Sequence, residues 1–141
     1  MNIVMASDHG GYELKMILKA HIESFGHIVI DAGAGQTESA EYPVYGKLAA
    51  EKLLNGEADL AVLVCGTGIG MSLTVNKIKG IRCVNCSEPY SARLSRQHNN
   101  ANALSLGARV VGAELAKMIV DVFLTSEFEG GRHAERVDMI E

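Results

Sequence analysis

Apolar residues fall into two rhythms along this chain, short unbroken runs and stripes at helical spacing, and the two alternate from one end to the other. Residues 2–6 form a β-branched and apolar run that predicts a strand. Leu14, Ile17, Leu18, Ile22 and Phe25 then recur on one helix face until Gly26 stops it. Residues 27–31 predict a second strand, and residues 32–41, rich in Gly, Ala and polar side chains, predict the longest loop. Tyr42–Leu54 reads as a helix with Tyr45, Leu48, Ala49 and Leu53 on one side and Asn55-Gly56 as its stop signal. The run ending at Cys65 predicts a third strand, followed by a helix through Met71 to Asn76 that closes near Lys79-Gly80. Residues 81–85 predict a fourth strand. Ser87-Glu88-Pro89 has the form of an N-cap with proline in the first turn of a helix carrying Arg93, Arg96, Gln97 and His98. Residues 103–106 predict the fifth strand; Leu115, Met118, Ile119, Val122 and Phe123 give the next helix its stripe, and Gly130-Gly131 precedes a short final helix.

Five strand–helix units in this order predict a Rossmann-like α/β domain of three layers, α/β/α, around a five-stranded parallel sheet, because crossovers between parallel strands are nearly always right-handed. With no repeat or linker, residues 1–141 read as a single domain. Ligands in such folds bind beyond the carboxyl ends of the strands. The residues expected there are Ser7-Asp8-His9-Gly10-Gly11, Cys65-Gly66-Thr67-Gly68-Ile69-Gly70, Cys86-Ser87-Glu88 and Gly107-Ala108-Arg109. An acid, a base, a thiol, backbone amides and a cation converge on one edge.

Composition narrows the function classes. With 13 Lys and Arg against 17 Asp and Glu, the formal charge is −4, so nothing supports general attraction to nucleic acid or to a membrane surface. The start of the chain has no basic segment followed by a long apolar run, and no apolar stretch reaches the length of a membrane span; a cytoplasmic protein is expected. Three cysteines in a chain that is 48% hydrophobic argue against a disulfide framework.

The glycine loop after the third strand carries the strongest chemical signal. Three glycines in this loop let backbone N–H groups approach a ligand closely, and the helix that follows favours negative charge at its N-terminus. A thiol in such a place ionises more readily than a free cysteine. A dinucleotide fingerprint fits less well, because Met71 stands where the third glycine belongs. The phosphate loop of cysteine phosphatases resembles this run too, but Met71 replaces the arginine that clamps the transferring group. Cys83 and Cys86 form C-x-x-C within a strand, where positions i and i+3 face opposite sides, so neither a redox turn nor a zinc site is expected. Asp8 suits both an N-cap and a ligand contact. Arg132 and Arg136, spaced i,i+4, share a helix face suited to a phosphate. Tyr42, Tyr45 and Tyr90 read as packing residues.

Taken together, Ser7-Asp8-His9-Gly10-Gly11, the run from Cys65 to Ser72, Ser87-Glu88-Pro89-Tyr90-Ser91-Ala92, Arg96-Gln97-His98-Asn99 and Glu129-Gly130-Gly131-Arg132-His133 closely resemble ribose-5-phosphate isomerase type B. The matches run in order through nearly the whole chain. The same family includes allose-6-phosphate isomerases and the subunits of galactose-6-phosphate isomerase. The resemblance implies interconversion of ribose 5-phosphate and ribulose 5-phosphate through ring opening and an enediolate, without metal or organic cofactor. It implies that Cys65 is the base moving a proton between C1 and C2, and that His98 helps open the ring with Thr67 nearby. It also implies that the amides of Gly66, Thr67, Gly68, Ile69 and Gly70 hold the enediolate. Asp8 and His9 are expected to bind the sugar and phosphate end, Asn99 a hydroxyl, and Arg109, Arg132 and Arg136 the phosphate. Family members are dimers or tetramers with sites at the subunit boundary, so a homo-oligomer is expected, with His98 and Asn99 able to serve a neighbour's site. A six-carbon sugar phosphate is the alternative substrate, and a nucleotide-binding regulatory module the remote one. One subgroup of the family uses a carboxylate further along the loop helix; here Met71 to Asn76 hold no acid, which leaves Cys65 as the base.

Overall fold

The computed structural model describes residues 1–36 and 41–141. Part of the loop expected at 32–41 therefore lies outside the described residues. Among the described residues five strands, β1 (Asn2–Ser7), β2 (Ile28–Asp31), β3 (Leu60–Cys65), β4 (Cys83–Asn85) and β5 (Ala103–Gly107), form one parallel sheet in the order β2-β1-β3-β5-β4. Six helices among the described residues alternate with them and extend the chain: α1 (Tyr12–Ser24), α2 (Tyr42–Leu54), α3 (Ile69–Asn76), α4 (Pro89–Asn99), α5 (Ala113–Thr125) and α6 (Arg132–Asp138).

The central strand explains why its sequence shows no alternation. All of β3 is buried because helices cover both faces. Leu60, Val62 and Val64 pack with Leu14, Leu18 and Ile22 of α1 and with Ile119 and Phe123 of α5. Ala61, Leu63 and Cys65 point the other way, toward Ala49 and Ala50 of α2 and Met71 and Val75 of α3. Each fully buried Val or Leu here contributes about 1.5–3 kcal/mol relative to exposure. The register sets Ser7 beside Val64 and Cys65 beside Gly107, so β1, β3 and β5 end together and deliver their following loops to one place.

Four local expectations are corrected. First, β4 begins at Cys83, not residue 81: Ile81 is buried, but the Arg82 N–H bonds the Asn102 side chain. The free edge of β4 is closed by Asn76, whose amide accepts from Cys83 N–H at 2.8 Å and donates to Cys83 O at 2.9 Å, as a neighbouring strand would. Second, α3 starts earlier than expected, at Ile69, and ends at Asn76, where that side chain turns to β4. Third, the buried face of α5 is Ala116, Ile119, Val120 and Phe123; Leu115 and Met118 are exposed, since the small Ala116 turns toward the sheet instead. Fourth, Ile17 of α1, Phe25 just past its end and Leu48 of α2 are exposed, because the packed face of each helix is narrower than its apolar stripe.

Candidate active site

The chain steps from β1 out to β2 and then crosses to β3, which opens a crevice at the carboxyl ends of β1 and β3. A cleft of about 470 Å³ lies there, lined by Asp8, Gly10, Tyr42, Cys65, Gly66, Thr67, Ile69, Gly70, Leu73 and Arg109. Its thiol is on a rigid support. Cys65 is the last residue of the buried strand β3, and its carbonyl accepts from Ala108 N–H at 2.8 Å. Arg109 N–H bonds Gly66 O at 3.0 Å, so the turn after β5 is laced to the glycine loop and carries the Arg109 side chain to the cleft. A methyl group on Gly66 would stand 3.7 Å from the Arg109 guanidinium, and one on Gly10 would stand 4.0 Å from it.

Two glycines are required by this lacing. Gly68 caps α3 at φ 81°, and a Cβ there would fall 2.2 Å from Asn85 Oδ1 and 2.9 Å from the carbonyl carbon of Leu106. A Cβ on Gly107 would fall 2.7 Å from the Thr67 carbonyl. Ser105, buried within β5, donates its hydroxyl to Gly68 O, and Asn85 Nδ2 reaches Thr67 O at 3.4 Å. The loop is thus held from beneath by two side chains that the sequence reading missed; a serine inside an apolar strand was the available signal. At the mouth of α3, Thr67 Oγ1 accepts from Ile69 N–H at 3.3 Å. The first amides of a helix have no intrahelical carbonyl to bond, so Gly70 brings one to the cleft wall beside the positive end of α3.

Asp8 is corrected from N-cap, the position that Gly11 takes at the start of α1; its Oδ1 accepts from Gly11 N–H at 2.9 Å in the preceding turn, and it lines the cleft. His9 is exposed beside Gly10 without lining it. Tyr42 is corrected from packing residue to cleft wall: its ring lies where a Cβ on Gly70 would meet it at 2.5 Å. Tyr45 packs against Gly33, and the exposed Tyr90 stands near Arg93, with the guanidinium 5.6 Å from the ring centre.

A second group of polar residues assembles elsewhere. Asn99 ends α4 only a few residues before β5 begins at Ala103, which puts His98 and Asn99 at the amino edge of the sheet. The length of β5, about 15 Å, separates that edge from the Cys65 loop. The His98 ring stacks on His133 of α6 with centroids 4.2 Å apart and planes at 6°. Glu129 Oε1 faces both, 3.7 Å from His98 Nε2 and 3.6 Å from His133 Nε2. Burial, then the neighbouring His98 and Arg132, holds the His133 pKa below its ordinary value, with Glu129 opposing. Arg132 and Arg136 are exposed on α6, and Asn99 lines a separate cavity of about 530 Å³ with Arg82 and Cys83.

A protein-family model described as Ribose/Galactose Isomerase matches residues 3–140. The chain belongs to the ribose/galactose isomerase family. It is 51% identical over 138 residues to ribose-5-phosphate isomerase B of Escherichia coli, an alignment that covers 98% of this chain and 93% of that one. Among solved structures of ribose-5-phosphate isomerase B, that from Clostridium thermocellum superposes with a TM-score of 0.97 at 49% identity, covering 99% of this chain and 95% of the other. That from Mycoplasma genitalium, with bound ribulose-5-phosphate, gives 0.93 at 41% identity, covering 99% and 93%. The α/β/α architecture read from the sequence is the architecture of these isomerase-family structures.

Within this isomerase-family chain, the structure brings together Asp8, Cys65, Gly66, Thr67, Ile69, Gly70 and Arg109 on the cleft, with Gly68 supporting the loop from behind. His98, Arg132 and Arg136 stand with α4 and α6 instead. The Cys86-Ser87-Glu88 turn is corrected out of the cleft, because β4 is the outermost strand and β5 lies between it and β3. Glu88 caps α4, its carboxylate accepting from Ser91 N–H at 3.0 Å, and hydrogen bonding from the Ser91 side chain first and then its backbone holds the Glu88 pKa below the usual carboxylate value. Cys86 and Cys83 face opposite sides of the sheet, as the strand spacing predicts, and burial raises their thiols to about 11 and about 12. No helix among the described residues is long and apolar enough to cross a membrane.

Proposed function

We propose that this chain is a ribose-5-phosphate isomerase with Cys65 as the catalytic base, acting in a homo-oligomer whose sites are each built from two chains. The observation that carries the reading is the thiol of Cys65 in a cleft beside a helix N-terminus, with glycines that let backbone amides face the same space. That is the equipment for removing a proton next to a carbonyl.

In the open-chain aldose, the Cys65 thiolate takes the proton from C2, the C1–C2 bond becomes the double bond of an enediolate, and negative charge gathers on O1. Amides of the loop from Gly66 to Gly70 hold that charge as it develops. The proton returns from sulfur to C1 while the O2 hydroxyl proton passes to O1, leaving a carbonyl at C2 and a hydroxyl at C1. No electron leaves the substrate. Asp8 and His9 hold the sugar and phosphate end, and Arg109 receives the phosphate.

Ring opening precedes this and needs a group that can both take and give a proton, the role assigned to His98 with Thr67 beside it. His98 and Cys65 sit at opposite ends of one sheet, so His98 of the partner subunit, with the partner's Asn99, Arg132 and Arg136, supplies the second half. Apolar side chains on the cleft wall are exposed: Ile69 and Leu73 are 53% and 63% exposed, and Tyr42 39%. A second copy seated there covers that surface and closes the cleft from water.

The test is ketose formation from ribose 5-phosphate, allose 6-phosphate and galactose 6-phosphate with EDTA present, comparing wild type and Cys65→Ala. Pentose turnover lost in the variant is the expected result. Turnover confined to a hexose phosphate moves the substrate assignment and keeps the base, whereas near-normal turnover by Cys65→Ala rejects the base.

A further inference from the structure

Away from the cleft, His98, Glu129 and His133 place their ligand atoms within 4.8 Å of one another. His98 comes from the last turn of α4, His133 from the first turn of α6, and Glu129 from the segment joining α5 to α6. Ligands about 2.0–2.1 Å from a tetrahedral zinc ion stand roughly 3.4 Å apart. The Glu129 carboxylate is already 3.7 Å and 3.6 Å from the two imidazole nitrogens, so two edges of the ligand triangle nearly meet that requirement. The third edge closes when the stacked rings splay, each turning about its Cβ–Cγ bond; the His98 side chain, 40% exposed, has room to do so.

The backbone under these ligands is fixed. Glu129 N–H donates to Gln97 O at 3.0 Å, which ties the carboxylate to the residue beside His98, and His133 N–H donates to Gly130 O at 3.1 Å. Two imidazoles and one carboxylate, with the fourth position open to water, suit zinc, copper or nickel, and are poor ligands for magnesium or calcium, which prefer oxygen. Arg132 and Arg136 on the same helix oppose a divalent charge, which limits affinity to a reversible range.

We propose that His98, Glu129 and His133 form a transition-metal site, and that Zn2+ bound there withdraws the His98 lone pair from proton transfer, making the ion a reversible inhibitor. The inhibitory half rests on the ring-opening role assigned to His98; the binding half does not.

Tag-free, chelator-stripped full-length protein is titrated with Co2+, and Zn2+ is then measured by displacement. Visible cobalt bands without sulfur-to-metal charge transfer are expected, at one ion per chain, with Zn2+ affinity at least about tenfold weaker in Glu129→Gln and in His133→Asn. Charge-transfer absorption from a thiolate, unchanged affinity in both variants, or no binding at all overturns the site. In the activity assay each protein is compared with itself, with and without Zn2+. Wild type loses turnover and regains it with EDTA, while both variants need correspondingly more Zn2+. Zn2+ bound at this site without loss of turnover overturns the inhibitory half and the assigned role of His98 together, and leaves the thiol base untouched.

Discussion

The cleft at the ends of β1, β3 and β5 and the cluster on α4 and α6 hold the two halves of one predicted residue set, and they are built on opposite physical plans. Cys65 ends a strand buried on both faces, and its loop is fixed by Ala108, Arg109, Ser105 and Asn85. His98, Arg132 and Arg136 stand on helix surfaces, where the Glu129 N–H to Gln97 bond and a ring stack join α4 to the approach of α6. In the proposed mechanism, the half that must hold a transition-state charge is the one preorganised by the core, and the half assigned to ring opening and phosphate binding is the one carried on exposed helix surface.

The largest effect expected is on the rigid side. Cys65→Ala removes the proposed base and is expected to lower kcat about 10²–10⁴-fold with a small change in KM, since in that role the thiol contributes to proton transfer more than to binding. Iodoacetamide at pH 8 is expected to inactivate through Cys65 with protection by substrate. Cys83 and Cys86, with pKa values near 12 and 11, remain thiols there and stay unlabelled by mass spectrometry.

The next prediction joins the two halves. Cys65→Ala and His98→Asn are each expected to be inactive as pure proteins. After subunit exchange in a mixture, random pairing recovers about one quarter of wild-type turnover, because half of the dimers are mixed and each mixed dimer has one intact site of two. Assayed before and after exchange, a mixture that stays inactive would mean that one chain supplies both residues.

A smaller effect is expected from the lacing itself. Gly107→Ala puts a methyl group 2.7 Å from the Thr67 carbonyl, a backbone group that no rotamer change can move. The cost is about 1–3 kcal/mol of stability, read by urea denaturation, together with a fall in kcat as Thr67 and the loop shift. A matching methyl at Gly112, where nothing stands within 4 Å, is the control and leaves both nearly unchanged.

The same contrast governs what was legible in the sequence. The cleft half declared itself by position: an apolar run, a thiol, then glycines, with Asp8 and Arg109 directly after their own strands. Strand ends are local features, and the parallel sheet aligns them. Strand order is not local. Cys86-Ser87-Glu88 also follows a strand, yet β4 lies outside β5, so that turn never reaches the cleft. Arg132 and Arg136 were marked by their i,i+4 spacing, but the role of His98 came from resemblance, since a helix-end histidine has no periodicity to mark it. Tyr42 was missed because its role depends on lying over Gly70, a residue distant in sequence. The exposed Leu115 and Met118 show the limit of the stripe argument: helical spacing marks an apolar face without saying how much of it is covered.

The smallest effect concerns the start of α4, the helix that carries His98. The Glu88 carboxylate accepts from Ser91 N–H and sits at the positive end of the helix, and its pKa is lowered in the fold. A carboxylate with a depressed folded-state pKa stabilises fully above its unfolded value and loses that contribution as pH falls through the folded one. Glu88→Gln is therefore expected to melt slightly below wild type at pH 7, and the gap should close as the pH drops through the acidic range. A melting difference that is constant with pH would assign the effect to hydrogen-bond geometry alone. The cleft offers the contrast: its loop is held by backbone, hydroxyl and side-chain amide groups that do not titrate there, so Gly107→Ala is expected to cost the same at pH 4.5 as at pH 7. Acid then loosens the helix that carries His98 before it disturbs the loop that carries Cys65.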